Sequence, residues 1–174
     1  MQPQRRAYTL LEVTLTLTVI VVVAAIALPP VLTMYDSHKV RAATDTIRAN
    51  WADARSHAIE ESRAYRYAVN YKTGNYRVAP DDMSFWSGGT PEIDDEHPAF
   101  VREGELPAGI HFSQRSDSAS QGGDSGQWST VAVFQTDGTA GDGCEIDVKM
   151  DNSSYTLTLA LRGLTGTSTV RKGN

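Results

Sequence analysis

The sequence has little cysteine and no excess of basic residues, and both shortages exclude classes of protein. Its 174 residues include one cysteine, Cys144, which cannot form an intramolecular disulfide, so the fold needs no oxidising compartment. Acidic residues outnumber basic ones by 21 to 16, which gives a formal net charge of −5. A general nucleic-acid binder would instead carry a basic surface. The chain is long enough for one domain with a hydrophobic core and a terminal appendage.

The sequence also lacks the residue patterns of a catalytic or metal site. The four histidines (His38, His57, His97 and His111) do not have the spacing of metal ligands. The segment DGTAGDG at Asp137 has too few oxygen ligands for a calcium loop and indicates a β-turn. The sequence contains no glycine-rich phosphate loop, no nucleophile elbow and no paired nucleophile and base. We therefore expect no enzymatic activity, no cofactor and no metal.

One long apolar run lies near the N-terminus and has the length of a membrane span. Arg5 and Arg6 precede a stretch from Val13 to Leu28 that carries no charge. A helix from Tyr8 to Leu28 would extend roughly 30 Å at about 1.5 Å per residue, which is enough to cross the hydrocarbon core of a bilayer. Because positive charge precedes the run, we expect a single-pass inner-membrane protein with a cytoplasmic N-terminus and a periplasmic head.

Glu12 distinguishes three interpretations of this run: a plain anchor, a signal peptide, and a segment that follows a cleavage before Tyr8. The run could be a plain anchor, or a signal peptide cut after Ala27, because Ala25-Ile26-Ala27 has the small-x-small spacing of a signal peptidase site. A charge at the bilayer centre costs roughly 2.5–3.5 kcal/mol, and less near the interface. Neither an anchor nor a signal peptide gains anything from that cost. A partner cation would explain Glu12, and the nearest candidate is the free amine that cleavage before Tyr8 would create.

The residues around Glu12 resemble the N-terminus of type IV pilins and type II secretion pseudopilins. The match consists of a basic leader that ends in Ala7, followed by the segment YTLLE from Tyr8 to Glu12. The resemblance implies that a prepilin peptidase cleaves between Ala7 and Tyr8 and methylates the new amine of Tyr8. Members of the family usually have glycine in place of Ala7 and phenylalanine in place of Tyr8.

The same resemblance assigns roles to Glu12 and Pro29. It implies that Glu12 pairs with the N-terminal amine of a neighbouring subunit and so compensates a buried charge during assembly. Pro29 takes the place of the proline that kinks the helix in this family. The apolar segment is then kept after cleavage, first as a membrane anchor and later as the core of a helical filament.

A second helical pattern follows the two prolines. Apolar residues recur at spacings of three and four, which is typical of one buried stripe on an amphipathic helix. These residues are Val40, Ala43, Ile47, Trp51, Ala54 and Ala58. We expect helix to about Ser62, with a kink or a short melted stretch at Pro29-Pro30 and with Trp51 as a core anchor.

The rest of the chain follows the period of two that is typical of β-strands. The turn KTGN joins strands that begin near Tyr65 and Tyr76 into a hairpin. Further strands are predicted for GIHFS, TVAVFQ, CEIDVKM, YTLTLAL and the C-terminal TSTV. Residues 80–109 and 113–129 are expected to be long surface loops. The predicted fold class is α+β, with a long N-terminal helix packed on a mostly antiparallel β-sheet head.

These patterns divide the chain into four segments. A leader peptide occupies residues 1–7, and a transmembrane or filament-core helix occupies residues 8–30. An amphipathic helix half follows at 31–63, and residues 64–174 form a periplasmic, β-rich globular head.

The head resembles the C-terminal domain of the general secretion pathway protein H family, which also includes related type IV minor pilins. The family's Phe-x-x-Asp-Gly corresponds to Phe134 to Gly138, and its Leu-Thr-Gly corresponds to Leu164 to Gly166. The Asp-Pro-Trp stretch of the major pseudopilin is missing, and Glu12 argues against the tip subunit that lacks this acid. The resemblance implies a minor pseudopilin of a type II secretion pseudopilus. Its implied partners are other pseudopilin subunits, prepilin peptidase, the inner membrane and the secretion-system assembly platform.

Two other functions stay open from the sequence. The first is a type IV minor pilin that binds DNA for uptake through Arg162, Arg171 and Lys172, for which the sequence offers no nearby acid. Three charges make a weak patch, so nucleic acid is an unlikely partner. The second is an exported soluble β domain cut after Ala27.

Overall fold

The structure is a computed structural model that describes residues 8–86, 99–114, 128–151, 153 and 155–173, with the backbone alone over residues 28–33. The chain divides into two compact units, Met1–Asp36 and Ser37–Asn174. The predicted leader, including Ala7, lies outside the described residues, as does most of the predicted loop 113–129.

A single helix, α1, accounts for both helical patterns of the sequence and extends over Leu10–Glu60. Its backbone is helical through Pro29 and Pro30, so the expected alternative of a short melted stretch at the prolines is wrong. The other alternative, a kink at Pro29, stays a prediction.

The C-terminal end of α1 is closed by backbone hydrogen bonds around Ser62. The amide of Arg63 donates to Ala58 O at 3.2 Å, and the amide of Ser62 donates to Ile59 O at 3.4 Å. Ser62 has a φ of 50°, which is the left-handed conformation that ends many helices. The helix therefore ends within two residues of the predicted position.

The predicted apolar stripe on the second half of α1 is confirmed. All six of its residues are buried in one hydrophobic core, including Trp51, which is 1% exposed. The Trp51 ring meets the Tyr67 ring edge to face, with 5.9 Å between the centroids. Such an arrangement contributes about 0.5–1.5 kcal/mol beyond the burial of apolar area. Trp51 thus anchors the helix to the head, as predicted.

The head contains two four-stranded sheets, in which every pairing is antiparallel. The first sheet has the order β3-β2-β1-β5, and its strands are β1 (Tyr65–Val69), β2 (Asn75–Pro80), β3 (Arg102–Glu105) and β5 (Ser129–Phe134). The second has the order β4-β6-β7-β8, with β4 (Ile110–Gln114), β6 (Cys144–Met150), β7 (Thr156–Arg162) and β8 (Thr167–Lys172). The predicted α+β class is confirmed, and the division into two sheets is new.

The core lies between the buried stripe of α1 and the inner faces of both sheets. From the first sheet it includes Tyr65 and Tyr67, and from the second Ile146 and Leu159, all of them 0–1% exposed. Cys144 is buried at the start of β6. Burial, with a smaller contribution from the charge of Glu145, raises the pKa of the Cys144 thiol to about 12.

A second apolar cluster covers the outer face of the first sheet, and the sequence did not predict it. It consists of Ala68, Ala79, Phe85 and Trp86, and the last two lie on a short helix, α2 (Met83–Trp86). The indole nitrogen of Trp86 donates to Pro80 O at 2.8 Å. The expectation that residues 80–109 form a long loop is therefore wrong at α2 and β3. Residues 87–98 of that predicted loop lie outside the described part.

Candidate assembly surfaces

The first half of α1 presents an apolar surface with no protein cover in its own unit. The segment Leu10–Ala27 has a mean hydropathy of 2.5, and none of it is buried. Within the described residues it is the one helix that is long and apolar enough to cross a membrane. By its length and composition this segment is a candidate single-pass membrane anchor.

Three threonines interrupt this apolar surface without exposing unpaired hydroxyl groups. The hydroxyls of Thr14 and Thr16 each donate to a carbonyl one turn earlier, Leu11 O and Val13 O, at 2.9 Å. The Thr18 hydroxyl donates to the carbonyl of Thr14 at 2.7 Å. Because the helix itself satisfies these hydroxyls, they cost little in an apolar surrounding.

Glu12 lies in the first turn of α1, where Thr9 caps the helix. The amide of Glu12 donates to Thr9 Oγ1 at 3.3 Å, and the amide of Val13 donates to Thr9 O at 3.2 Å. A carboxylate in the first turn also interacts favourably with the helix dipole. Sequence reasoning missed this role of Thr9, although threonine followed three residues later by glutamate is a known capping signal.

The predicted cleavage and assembly residues are described only in part. Tyr8 is 79% exposed and precedes the helix, while Ala7 lies outside the described residues. The Glu12 carboxylate forms no ion pair with any residue that the structure describes. Cleavage before Tyr8, methylation of Tyr8 and pairing of Glu12 with a neighbour stay predictions.

The two head motifs, Phe134 to Gly138 and Leu164 to Gly166, meet each other at α1. Gly138 and Gly166 both have positive φ, 81° and 59°, and therefore sit in turns that favour glycine. The guanidinium Nε of Arg55 on α1 donates to Gly138 O at 2.8 Å. A Cβ on Gly166 would collide with that carbonyl and with the side chain of Arg55. We call this arrangement of Arg55, Gly138 and Gly166 the Arg55 clamp. It gives both motifs a structural role, because their turns contact α1 here.

Asp137 belongs to the first of these turns rather than to a calcium site. Its carboxylate accepts the amide of Thr139 at 2.9 Å, and this hydrogen bond lowers the pKa of Asp137. Among the described residues, no group of three or more His, Cys, Asp or Glu side chains is placed to hold a metal ion.

The three basic residues proposed for DNA do not form one patch. In the pairing of β7 with β8, Arg171 lies opposite Thr158, while Lys172 lies opposite the buried Leu157. Successive side chains alternate between the faces of a strand, so Arg162 and Arg171 share the outer face and Lys172 lies on the side of α1. The expectation that no acid lies near these residues is wrong for Arg171, which pairs with Glu145 on β6.

Comparison with known proteins finds the same fold in two solved structures. No protein-family profile and no curated protein sequence matches the chain. The minor pseudopilin EpsH from the type 2 secretion system of Vibrio cholerae is 9% identical, with a TM-score of 0.50, and the match covers 78% of this chain and 96% of that one. The type IV minor pilin FimU of Pseudomonas aeruginosa strain PAO1 is 12% identical, with a TM-score of 0.50 and coverages of 79% and 90%.

These two similarities establish a pilin-like fold for the chain. At 9% and 12% identity they concern the fold alone. The pilin-like architecture expected from the N-terminal segment and from the head motifs is confirmed at this level. Both structures are named as pilin-class subunits and not as enzymes.

Proposed function

We propose that the chain is a minor pseudopilin, a structural subunit of a type II secretion pseudopilus. The observation that carries the proposal is the composition of α1. An exposed, mostly apolar segment of 18 residues belongs to the same helix as a buried stripe that packs into a β head of pilin-like fold. A filament subunit needs both halves, because the apolar half must be stable in a bilayer and later among other helices.

Localisation follows from the charge around the apolar segment. The chain is inserted once in the inner membrane, with Arg5 and Arg6 in the cytoplasm and the head in the periplasm. Prepilin peptidase cleaves between Ala7 and Tyr8 and methylates the amine of Tyr8. The mature subunit then joins other pseudopilin subunits at the secretion-system assembly platform.

Glu12 is the assembly residue in this proposal. Its carboxylate has no ion-pair partner among the described residues, and its backbone is held by Thr9 in the first turn of the helix. The methylated amine of a neighbouring Tyr8 supplies the missing positive charge when the helices pack together. The pairing lowers the cost of placing a carboxylate among apolar helices.

The type II system is preferred to a DNA-uptake pilus because the basic residues are divided. Arg162 and Arg171 lie on one face of the second sheet, Lys172 lies on the other, and Arg171 is paired with Glu145. Several phosphates must be neutralised together for strong binding, and these three residues do not offer that, because they are divided between two faces and Arg171 is already paired.

The test is the N-terminal sequence and the mass of the full chain from membranes of cells with and without prepilin peptidase. We expect a chain that begins at methylated Tyr8 in the first cells and at Met1 in the second. The variant Ala7→Gly, which restores the family's usual residue, should be cleaved at least as completely. An N-terminus at Leu28 in both cells would overturn the proposal in favour of a secretory signal, and Met1 in both would leave a plain anchor.

A second arm tests Glu12 separately from cleavage. Glu12→Gln should still be cleaved but should no longer crosslink to other subunits in membranes. Thr16→Val, whose hydroxyl bonds only within its own helix, is the matched control and should crosslink normally. Normal crosslinking of Glu12→Gln would remove Glu12 from the assembly mechanism.

A further inference from the structure

A groove runs along the free edge of β8, between that strand and the exposed side of α1. One part has a volume of about 450 Å³ and is lined by Arg41 and Arg48 from α1 and by Tyr155, Val170 and Lys172. The next part has a volume of about 380 Å³ and extends to Gly166, Thr167 and Ser168. Arg48 lines both parts, so together they follow the whole strand.

The edge of β8 that faces this groove has unpaired backbone groups. β8 is the last strand of its sheet, and no described strand pairs with its outer edge. The amide of Gly173 donates to Thr156 O at 2.9 Å, which fixes the alternation of bonded pairs between β7 and β8. By that alternation, the N–H and C=O groups of Ser168, Val170 and Lys172 point away from β7. The strand TSTVRK contains no proline, so within the described part of the chain the edge can accept a further strand.

The charge of the groove is opposite to that of the chain. Its first part is lined by one acid, Asp45, and by four basic residues, Arg41, Arg48, Arg171 and Lys172, whereas the whole chain has a net charge of −5. Arg171 is paired with Glu145, which leaves three basic residues for an occupant. Arg41 Nε donates to the hydroxyl of Tyr155 at 3.2 Å, and Lys172 Nζ lies 6.0 Å from the centre of the Tyr155 ring. Arg48 has no ion-pair partner within the described part of the chain. The groove therefore favours an acidic occupant.

We propose that this groove receives an extended acidic segment of a neighbouring subunit, which pairs with β8 as a fifth strand. Acidic side chains at alternate positions of that segment meet Arg41 and Arg48, because alternate residues of a strand face the same side. The six residues of β8 provide roughly 20 Å of edge for the pairing. The proposal rests on the proposed function as a filament subunit, since it takes the partner to be another subunit.

A peptide partner fits this edge better than a nucleic acid does. A strand satisfies the backbone donors and acceptors of Ser168, Val170 and Lys172 in one register, whereas a phosphodiester chain has no N–H donors for the carbonyls. The aromatic residues that line the groove are Tyr155 in its first part and Trp51 in its second. Trp51 is only 1% exposed, so the groove gives no row of stacking platforms for bases.

The experiment measures peptide binding to the full chain in zwitterionic detergent micelles by fluorescence anisotropy. The probe is a labelled peptide of about eight residues in which glutamate alternates with threonine and valine. We expect saturable binding, loss of binding when alternate amides that would face β8 are N-methylated, and no binding of the matching lysine peptide. Equal binding of the N-methylated peptide would overturn strand pairing. Full competition by an oligothymidylate of similar length would overturn the peptide partner in favour of nucleic acid.

Two charge reversals locate the binding on the molecule. Arg48→Glu should weaken binding about tenfold or more, because it replaces an attractive contact with a repulsive one. Arg162→Glu makes the same change in net charge on the outer face of the sheet, away from the groove, and should leave the affinity unchanged. Equal effects of both variants would overturn the groove as the site. Circular dichroism of both variants establishes that they are folded.

Two further outcomes separate this proposal from its alternatives. The chain could self-associate as its concentration is raised, without binding the peptide, and Arg48→Glu could abolish this association. That result would identify a second copy of the chain as the occupant and overturn the proposed acidic segment. The assay requires a folded head and no cleavage, so its failure would leave the peptidase test unaffected. Conversely, if the peptidase test fails and the peptide still binds, the filament role is overturned but the groove remains a binding site.

Discussion

The two halves of α1 differ in how they use apolar residues, although they belong to one helix. From Leu10 to Ala27 apolar side chains point in every direction and none is buried. After Ser37 the large apolar side chains other than Ile59 lie on one stripe that is almost completely buried. A helix that is apolar all round needs an apolar solvent, and a striped helix needs a core on one side and water on the other. The first half is therefore built for a bilayer or a bundle, and the second for a globular head.

The polar residues of the two halves of α1 also differ, in the partners that they bind. In the first half the threonine hydroxyls donate to carbonyls of their own helix. In the second half Arg55 donates to Gly138 O in the head, and Arg102 of β3 pairs with Asp53 of the helix. The threonine hydroxyls of the apolar half need no partner outside their helix, while Arg55 and Asp53 of the striped half hold the head. Four substitutions test this contrast, from the largest expected effect to the smallest.

Trp51→Ala should destabilise the head more than any other single change in the stripe. Removing a buried tryptophan costs about 3–5 kcal/mol, because apolar contacts are lost and a cavity is left. The measurement is the rate of Cys144 labelling by a thiol reagent as denaturant is raised, since burial and a raised pKa slow the reaction of this thiol until the head unfolds. Val22→Ala in the exposed apolar half is the control and should not change the labelling profile. A loss below about 1 kcal/mol would contradict the role of Trp51 as an anchor.

Val19→Lys should affect membrane association and leave the head intact. Val19 lies near the middle of the apolar segment, and a lysine at the bilayer centre costs roughly 2.5–3.5 kcal/mol on insertion scales. We expect more of the chain to be released from membranes by alkaline extraction, with an unchanged Cys144 labelling profile. Val19→Leu should behave like the natural chain. If both variants are retained equally, the first half of α1 does not lie in the bilayer.

Gly166→Ala tests the Arg55 clamp, where the head motifs contact α1. We expect a loss of about 1–3 kcal/mol in unfolding free energy, because the added Cβ collides with Gly138 O and Arg55 and the backbone has a φ of 59°. The matched control is Gly109→Ala, where φ is 83° but the nearest atom to the new Cβ is at 4.0 Å. The smaller loss in unfolding free energy expected for Gly109→Ala measures backbone strain alone. Equal losses at the two positions would mean that the clamp contributes nothing.

Elements with a strong hydrophobic period were predictable from the sequence. The stripe from Val40 to Ala58 was predicted because its spacing matches the helical turn, and all of its members are buried. Strand β6 was predicted with its observed bounds, Cys144–Met150, because polar and apolar residues alternate along it. In both elements one face meets the core and the other meets water, which is the condition under which periodicity carries information.

Elements that do not have one face toward the core and one toward water were not predicted from the sequence. Strand β3 has the sequence REGE and is held by its pairing with β2, so no apolar alternation marks it. Ala68 on β1 packs with Trp86 because the first sheet is covered on both faces, so no polar face marks this strand in the sequence. Of the candidate sites, Glu12 followed from a local motif, whereas the pairing of Arg171 with Glu145 depends on residues 26 positions apart and could not be predicted.

Ser62→Gly should give the smallest effect, and it should be stabilising. Ser62 holds a left-handed conformation that costs a residue with a Cβ about 1–2 kcal/mol, while glycine costs about 0.4–1 kcal/mol through the freedom it gives the unfolded chain. The net gain in unfolding free energy is therefore about 0.5–1 kcal/mol, measured again by Cys144 labelling. Ala52→Gly, within the striped half of the same helix, should instead lose about 0.8–1 kcal/mol. Opposite signs at two positions ten residues apart would show that α1 ends at Ser62 because of backbone geometry, whereas equal losses would place the end of the helix elsewhere.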